Sequence, residues 1–192
     1  MTLIYLGLAL FLGTHLFSAY APSARAAVVG KIGEGPFKGL YSLASLGGFV
    51  LLVLGWRSTV PEIIYTPPAW GLYAAYALMT VSFILFATSY LPAGRIKSLA
   101  GHPMVLGTAV AGLAHLLVNG DSRSVTVFGA FLVYGVVARV SYHLRGDKGA
   151  SGTSLLGDGA AVLGGLFGGF LVVHHLHHYL SGVRLAPWLL FG

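Results

Sequence analysis

There is no cysteine among the 192 residues of this chain. Disulfides, iron–sulfur ligation and thiolate chemistry are therefore excluded. Charge is nearly as scarce. Asp, Glu, Lys and Arg make up only 8% of the residues, five acidic and eleven basic, where soluble domains carry about 25%. The five carboxylates are scattered, no phosphate-binding glycine loop is present, and no nucleophile–base pair can be picked out. Hydrolase and kinase chemistry have no support. The formal net charge of +6 is spread over short segments rather than gathered into a patch, so nucleic acid is not an expected partner.

What the chain has in abundance is apolar sequence. Hydrophobic residues make up 56% of it. They come in solid runs, not the alternating ten-residue segments of a membrane β-barrel. The expected fold class is an all-α integral membrane protein, one domain over residues 1–192, with the bilayer as its first partner. About 20 apolar residues cross the hydrocarbon core. On that ruler six spans are expected, at residues 2–20, 39–56, 69–91, 103–118, 125–143 and 160–180. The fourth is short and can begin earlier, near Ile96. Turn chemistry separates them: Ala21-Pro22-Ser23, Thr66-Pro67-Pro68, Pro92-Ala93-Gly94, Asn119-Gly120-Asp121 and the stretch 146–157. Ser122 or Ser124 can cap the fifth helix, and Asp121 and Asp158 read most simply as caps.

Ala24-Arg25-Ala26 has the look of a leader cleavage site. No basic residue precedes Arg25, and the apolar run extends to Tyr20, longer than a signal core. The segment is read as a span. Loops one, three and five hold Arg25, Lys31, Lys38, Arg95, Lys97, Arg145 and Lys148, with Arg139 nearby. The other loops and the tail hold only Arg57, Arg123 and Arg184. The positive-inside rule then puts both termini on the non-cytoplasmic side of a bacterial inner membrane. Tyr65, Trp70, Tyr90 and Trp188 suit the interfacial belts, and the tail 184–192 is expected at the interface. Gly164/Gly168 and Gly165/Gly169 on the sixth helix are small-xxx-small pairs. They suit packing within the bundle, a homodimer face, or room for a flat ligand.

His15 and His115 stand in the middle of apolar runs. A charged group at mid-membrane costs roughly 2.5 kcal/mol or more, so each imidazole is expected to be neutral and either ligated or hydrogen-bonded. Two imidazoles from different helices can hold haem iron inside a bundle. Gly47, Gly48, Gly107 and Gly112 could leave the slot, and Arg25, Lys38, Arg95 or Arg139 could meet the propionates. The same histidines could instead serve as polar glue between helices. His102 lies thirteen residues before His115, roughly 20 Å along a continuous helix, so those two cannot share one iron. His174, His175, His177 and His178 form the densest cluster. Their i,i+3 and i,i+4 spacing allows a second metal, or simply a solvated helix end. His143 suits the C-terminus of the fifth helix.

Several segments together resemble the NnrU family. They are Phe11-Leu12-Gly13-Thr14-His15, the stretch 33–42, Thr66-Pro67-Pro68-Ala69-Trp70, Tyr90-Leu91-Pro92 with Gly94-Arg95-Ile96-Lys97, His102-Pro103-Met104-Val105-Leu106-Gly107, and the stretch 113–121. The resemblance covers residues 1 to about 145 and, more loosely, the last helix. Bacterial members are named for an association with nitrite and nitric oxide reduction. A plant relative, zeta-carotene isomerase, is similar in the same segments. It uses haem b held by two histidines to isomerise a polyene. The resemblance implies haem b here, with His15 and His115 as axial ligands and His102 as the matching H-P histidine. It implies a haem-dependent isomerase or redox enzyme acting on a lipophilic polyene, or a non-catalytic haem accessory in denitrification. His178 is similar to a histidine of the family's last helix. His102-Pro103-Met104-Val105-Leu106-Gly107 is also similar to the R-H-P-x-x-x-G segment of membrane methyltransferases. Gly101 stands in place of the arginine, however, and their downstream acidic pair has no counterpart in residues 145–157.

Overall fold

The structure is a computed structural model that describes residues 1–183 and 185. The expected tail 184–192, with Trp188, lies outside the described residues except for Leu185. Nine α-helices are found among the described residues, and no strand beyond the single bridge Ile63–Asp121. The chain separates into two compact units, residues 1–62 and 63–192.

In the first unit α1 (Thr2–Tyr20) and α3 (Glu34–Ser58) run antiparallel, joined by α2 (Pro22–Ile32). The expected turn at Ala21-Pro22-Ser23 is sharper than the sequence suggests. Pro22 opens α2 directly, because a proline at the first helical position loses no hydrogen bond there. The antiparallel pair closes at glycines. A Cβ on Gly55 would lie 2.7 Å from the Ile4 nitrogen, one on Gly7 2.7 Å from the Leu52 nitrogen, and one on Gly48 2.6 Å from the Phe11 nitrogen. Lipid offers no hydrophobic drive for association, so such close backbone packing is what holds the helices. Thr14 and Ser45 add a hydroxyl contact of 3.2 Å in the same register.

The second unit contains α4 (Gly71–Tyr90), α5 (Arg95–Ala100), α6 (Pro103–Leu116), α7 (Ser122–Leu144), α8 (Leu155–Leu171) and α9 (His177–Ser181). A π-helical turn, Val172–Leu176, joins the last two. Helix α6 packs against α4 on one side and α7 on the other, and α4 in turn packs against α8. Small residues again make the contacts. A Cβ on Gly112 would meet the Leu132 nitrogen at 2.7 Å, and one on Gly135 the Ala109 nitrogen at 2.8 Å. Buried Ser82 donates to the Gly107 carbonyl at 2.9 Å.

Among the described residues five helical segments are long and apolar enough to cross a membrane: α1, α3, α4, α7 and the run Leu155–Ser181. Helix α6, the fourth expected span, has 14 residues and falls short. Its possible upstream extension is a separate helix, α5, because Gly101 turns at φ +65° between them.

The caps differ in detail from expectation. Asp121, not Ser122 or Ser124, caps α7, accepting from the Arg123 and Ser124 amides at 3.0 and 3.2 Å. Asp158 does cap a helix, but a remote one. It accepts from Arg95 and Ile96 at the start of α5, at 3.0 and 2.9 Å, while Ser154 caps its own helix α8. Lys97 Nζ donates to the Ser89 and Leu91 carbonyls at the end of α4, at 3.1 and 2.8 Å. Tyr65 donates its hydroxyl to the Leu116 and Asn119 carbonyls, closing the end of α6.

The glycine ridge of the last span is split. Gly165 lies on α4, where a Cβ would sit 2.5 Å from Ile84 Cα, and Gly169 lies 3.0 Å from the Phe83 ring by the same measure. Gly168 has open space around it. Gly165→Leu should therefore cost about 1–3 kcal/mol by overpacking, with Gly168→Leu near neutral. Thermal unfolding in detergent reads the difference, and equal stability of the two variants would refute the assignment.

Candidate functional sites around the buried histidines

Helix α1 carries His15 in its last turns and α6 carries His115 in its final turn. The two belong to different units. Their local chemistry is the same. His15 Nδ1 lies 2.7 Å from the Phe11 carbonyl oxygen, four residues back. His115 Nδ1 lies 2.9 Å from the Ala111 carbonyl, again four residues back. A carbonyl only accepts, so Nδ1 must carry the hydrogen in both rings. In the neutral imidazole the basic lone pair then sits on Nε2. Each ring is also fixed by an aromatic neighbour. The Phe11 ring centroid is 4.5 Å from that of His15, with Tyr41 at 5.4 Å. Phe128 stacks on His115 at 4.0 Å and 16°.

His102 is built the other way. It precedes α6 as its N-cap, with Pro103 in the first helical position. Its Nε2 is 3.3 Å from Asp147 Oδ1, and a carboxylate only accepts, so Nε2 carries a hydrogen. Nδ1 is buried without a hydrogen-bond partner among the described residues. The ring stacks on Tyr142 at 3.9 Å and 5°. The histidine of the H-P motif thus commits its outer nitrogen to a carboxylate.

Around it the loop 146–154 docks on the turn before α6. Asp147 Oδ1 also accepts from the Gly149 amide at 2.9 Å. Gly152 and Ser98 exchange two hydrogen bonds, at 2.6 and 2.7 Å. Gly149 sits directly on the Gly101 carbonyl, too close for any side chain, at φ +71°.

The cations expected at haem propionates are engaged to different degrees. Lys38 pairs with Glu34 at 2.9 Å. Arg25 lies over the Phe37 ring at 5.1 Å. The Arg95 backbone is held by Asp158. The slot expected from four glycines is a correction. Gly48 is filled by the Phe11 backbone, Gly107 by the Phe86 ring and Gly112 by the α7 backbone, and Gly47 lies 3.7 Å from Leu10 by the same Cβ measure. Gly48, Gly107 and Gly112 serve helix packing.

The conspicuous cluster on the last span does not converge. No three or more His, Asp or Glu side chains are grouped to hold a metal among the described residues. His177 Nδ1 contacts Ser181 Oγ at 3.1 Å and the Val183 carbonyl at 3.0 Å. His174 lies on Phe170 at 4.4 Å, and His178 beside Tyr179 at 5.5 Å. Sequence reasoning missed the His102–Asp147 pair. A separation of 45 positions hides it, and only docking of the glycine-rich loop brings them together.

Hydrogen bonding by the Gly149 amide, with the His102 imidazole alongside, holds the Asp147 carboxyl below its ordinary value. A depressed carboxylate stabilises the docked loop above its unfolded pKa, and that contribution is lost as pH falls through the folded one. A spin label on Ala150 should therefore gain mobility as pH drops below the ordinary carboxylate range, and Asp147→Asn should be mobile already at neutral pH. A label equally ordered in both proteins at every pH would refute the loop lock.

No curated protein and no solved structure matches the chain. The family model described as NnrU protein matches residues 3–185, nearly the full length. The chain is a member of the NnrU family.

Proposed function

We propose that this NnrU-family protein binds haem b, with His15 and His115 as axial ligands, and acts as an isomerase or redox enzyme on a lipophilic substrate such as a polyene. The observation that carries the reading is the shared tautomer. Both imidazoles give Nδ1–H to a carbonyl four residues back. That arrangement orients the ring of a metal-ligating histidine and leaves Nε2 as its ligating nitrogen. The donor set therefore suits haem iron, although the four glycines supply no slot. When bound, haem supplies one-electron redox chemistry and a Lewis-acid iron. The chain's own contribution is to fix the ligands. The Phe11 and Ala111 carbonyls hold the tautomer, and the Phe11 and Phe128 rings set the imidazole planes. His102 is a poorer ligand because its Nε2 faces Asp147. Arg95 suits a propionate better than Lys38, which already has Glu34, or Arg25, which lies on Phe37.

A reduced-minus-oxidised spectrum of the purified protein tests this directly. A Soret band that shifts on reduction is expected. It should weaken or move in His15→Ala and in His115→Ala and persist in His174→Ala. A colourless protein after expression with ample haem, or normal spectra in both ligand variants, would sink the reading. Turnover of a tri-cis polyene by the reduced protein supports the enzyme. Haem without any turnover favours the accessory role in nitrogen-oxide respiration.

The same reading takes α5 and α6 together as a sixth crossing of the inner membrane, with both termini outside. The distribution of basic residues supports it. The chain lacks cysteine, so single introduced cysteines report cleanly. Ala150→Cys should react with an impermeant maleimide only after the cytoplasmic face is opened, and Thr59→Cys from outside. The reverse pattern would overturn the orientation. Gly168 has the open space a homodimer contact through the last span would need.

A further inference from the structure

The first unit carries an apolar groove of about 410 Å³, lined by Gly13 and Phe17 of α1, Val28 and Ile32 of α2, and Phe37 and Tyr41 of α3, among others. That volume falls in the range of small-molecule sites. The groove is open and nearly free of polar groups, and it ends where α2 meets α3. That end is cationic. Arg25 places its guanidinium 5.1 Å over the ring of Phe37, a lining residue. Lys31 directly precedes lining Ile32, and Lys38 directly follows Phe37. The single carboxylate among them, Glu34, pairs with Lys38 and lies within electrostatic reach of Arg25. One carboxylate against three cations leaves a positive excess over an apolar channel. An amphiphile with one long chain and one negative head fits this arrangement, and a neutral lipid leaves the cations unanswered. Juxtamembrane cations attract anionic lipid headgroups in just this way.

We infer that this groove is a binding site for an anionic phospholipid, with an acyl chain between α1, α2 and α3 and its phosphate held by Arg25 and Lys31. The inference does not depend on haem binding, because neither His15 nor His115 lines the groove. Gly13 gives a clean way to block it. Gly13 lines the groove, and a Cβ there meets nothing within 4 Å, so a larger side chain enters the groove without displacing a helix.

The test uses the full chain in vesicles of phosphatidylcholine doped with phosphatidylglycerol carrying a diazirine on one acyl chain, with labelled peptides mapped after irradiation. Labelling is expected within residues 9–17 and 37–44. It should fall several-fold in Gly13→Phe, with Ala44→Phe as a second plug in case the first variant misfolds. Arg25→Gln with Lys31→Gln should abolish the preference over a phosphatidylcholine probe of the same chain while leaving the chain's contact region labelled. Equal labelling in wild type and both folded plugs would overturn the site. So would equal labelling by both lipids in the wild type. Crosslinks from the groove to residues 63–192, or to a second copy, in place of lipid would identify a protein occupant and also overturn it.

Discussion

Backbone-to-backbone contact at glycine is the constraint on which the rest of this structure depends. In each unit the helices meet where a side chain is missing: Gly48 against Phe11, Gly55 against Ile4, Gly112 against α7, Gly165 against Ile84. In water, burying leucine would hold such helices together. In lipid the tails are as apolar as leucine, and only close packing and polar contacts discriminate one helix partner from another. That is why large apolar side chains such as Leu40, Leu43 and Leu46 remain exposed on α3 while Gly48 and Gly55, where it meets α1, are buried.

Close approach also decides what the histidines can do. A helix that packs on both sides, as α6 does, leaves a side chain in its last turn little freedom. His115 turns back along its own helix to Ala111 and stacks on Phe128 of the neighbouring α7. His15 makes the equivalent turn on α1. His102, at the start of α6, is held by Asp147 of the loop 146–154 and by the Tyr142 ring of α7 instead. His15 and His115 therefore turn Nδ1 to an acceptor and His102 turns Nε2, and which nitrogen donates is set by where the carbonyl or carboxylate lies.

The helices were largely legible from the residues. The runs at 2–20, 69–91 and 125–143 match α1, α4 and α7 within a few residues, because hydropathy and turn residues act locally. The short helices α2 and α5 were not. Each is too polar or too brief to register as a span, and α2 begins at a proline that reads equally well as a turn. The caps were half legible. Asp121 serves its own helix, but Asp158 serves α5 from 62 residues away, and no local pattern encodes that. The four-glycine slot failed for a related reason. A glycine leaves space only when nothing else moves into it, and here neighbouring helices do.

The sequence by itself determined that this is a helical membrane protein of the NnrU family, with two imidazoles deep in apolar runs and no cysteine chemistry. Those properties follow from composition, run length and motif, which need no knowledge of neighbours. Only the tertiary structure decided which ring nitrogen of His15, His102 and His115 faces an acceptor, that Asp147 meets His102, and that Gly48, Gly107 and Gly112 join helices and leave no slot between them. Each of these turns on a few ångströms between atoms distant in the chain. Such distances are fixed by packing, and packing is a property of the whole set of side chains rather than of any one segment.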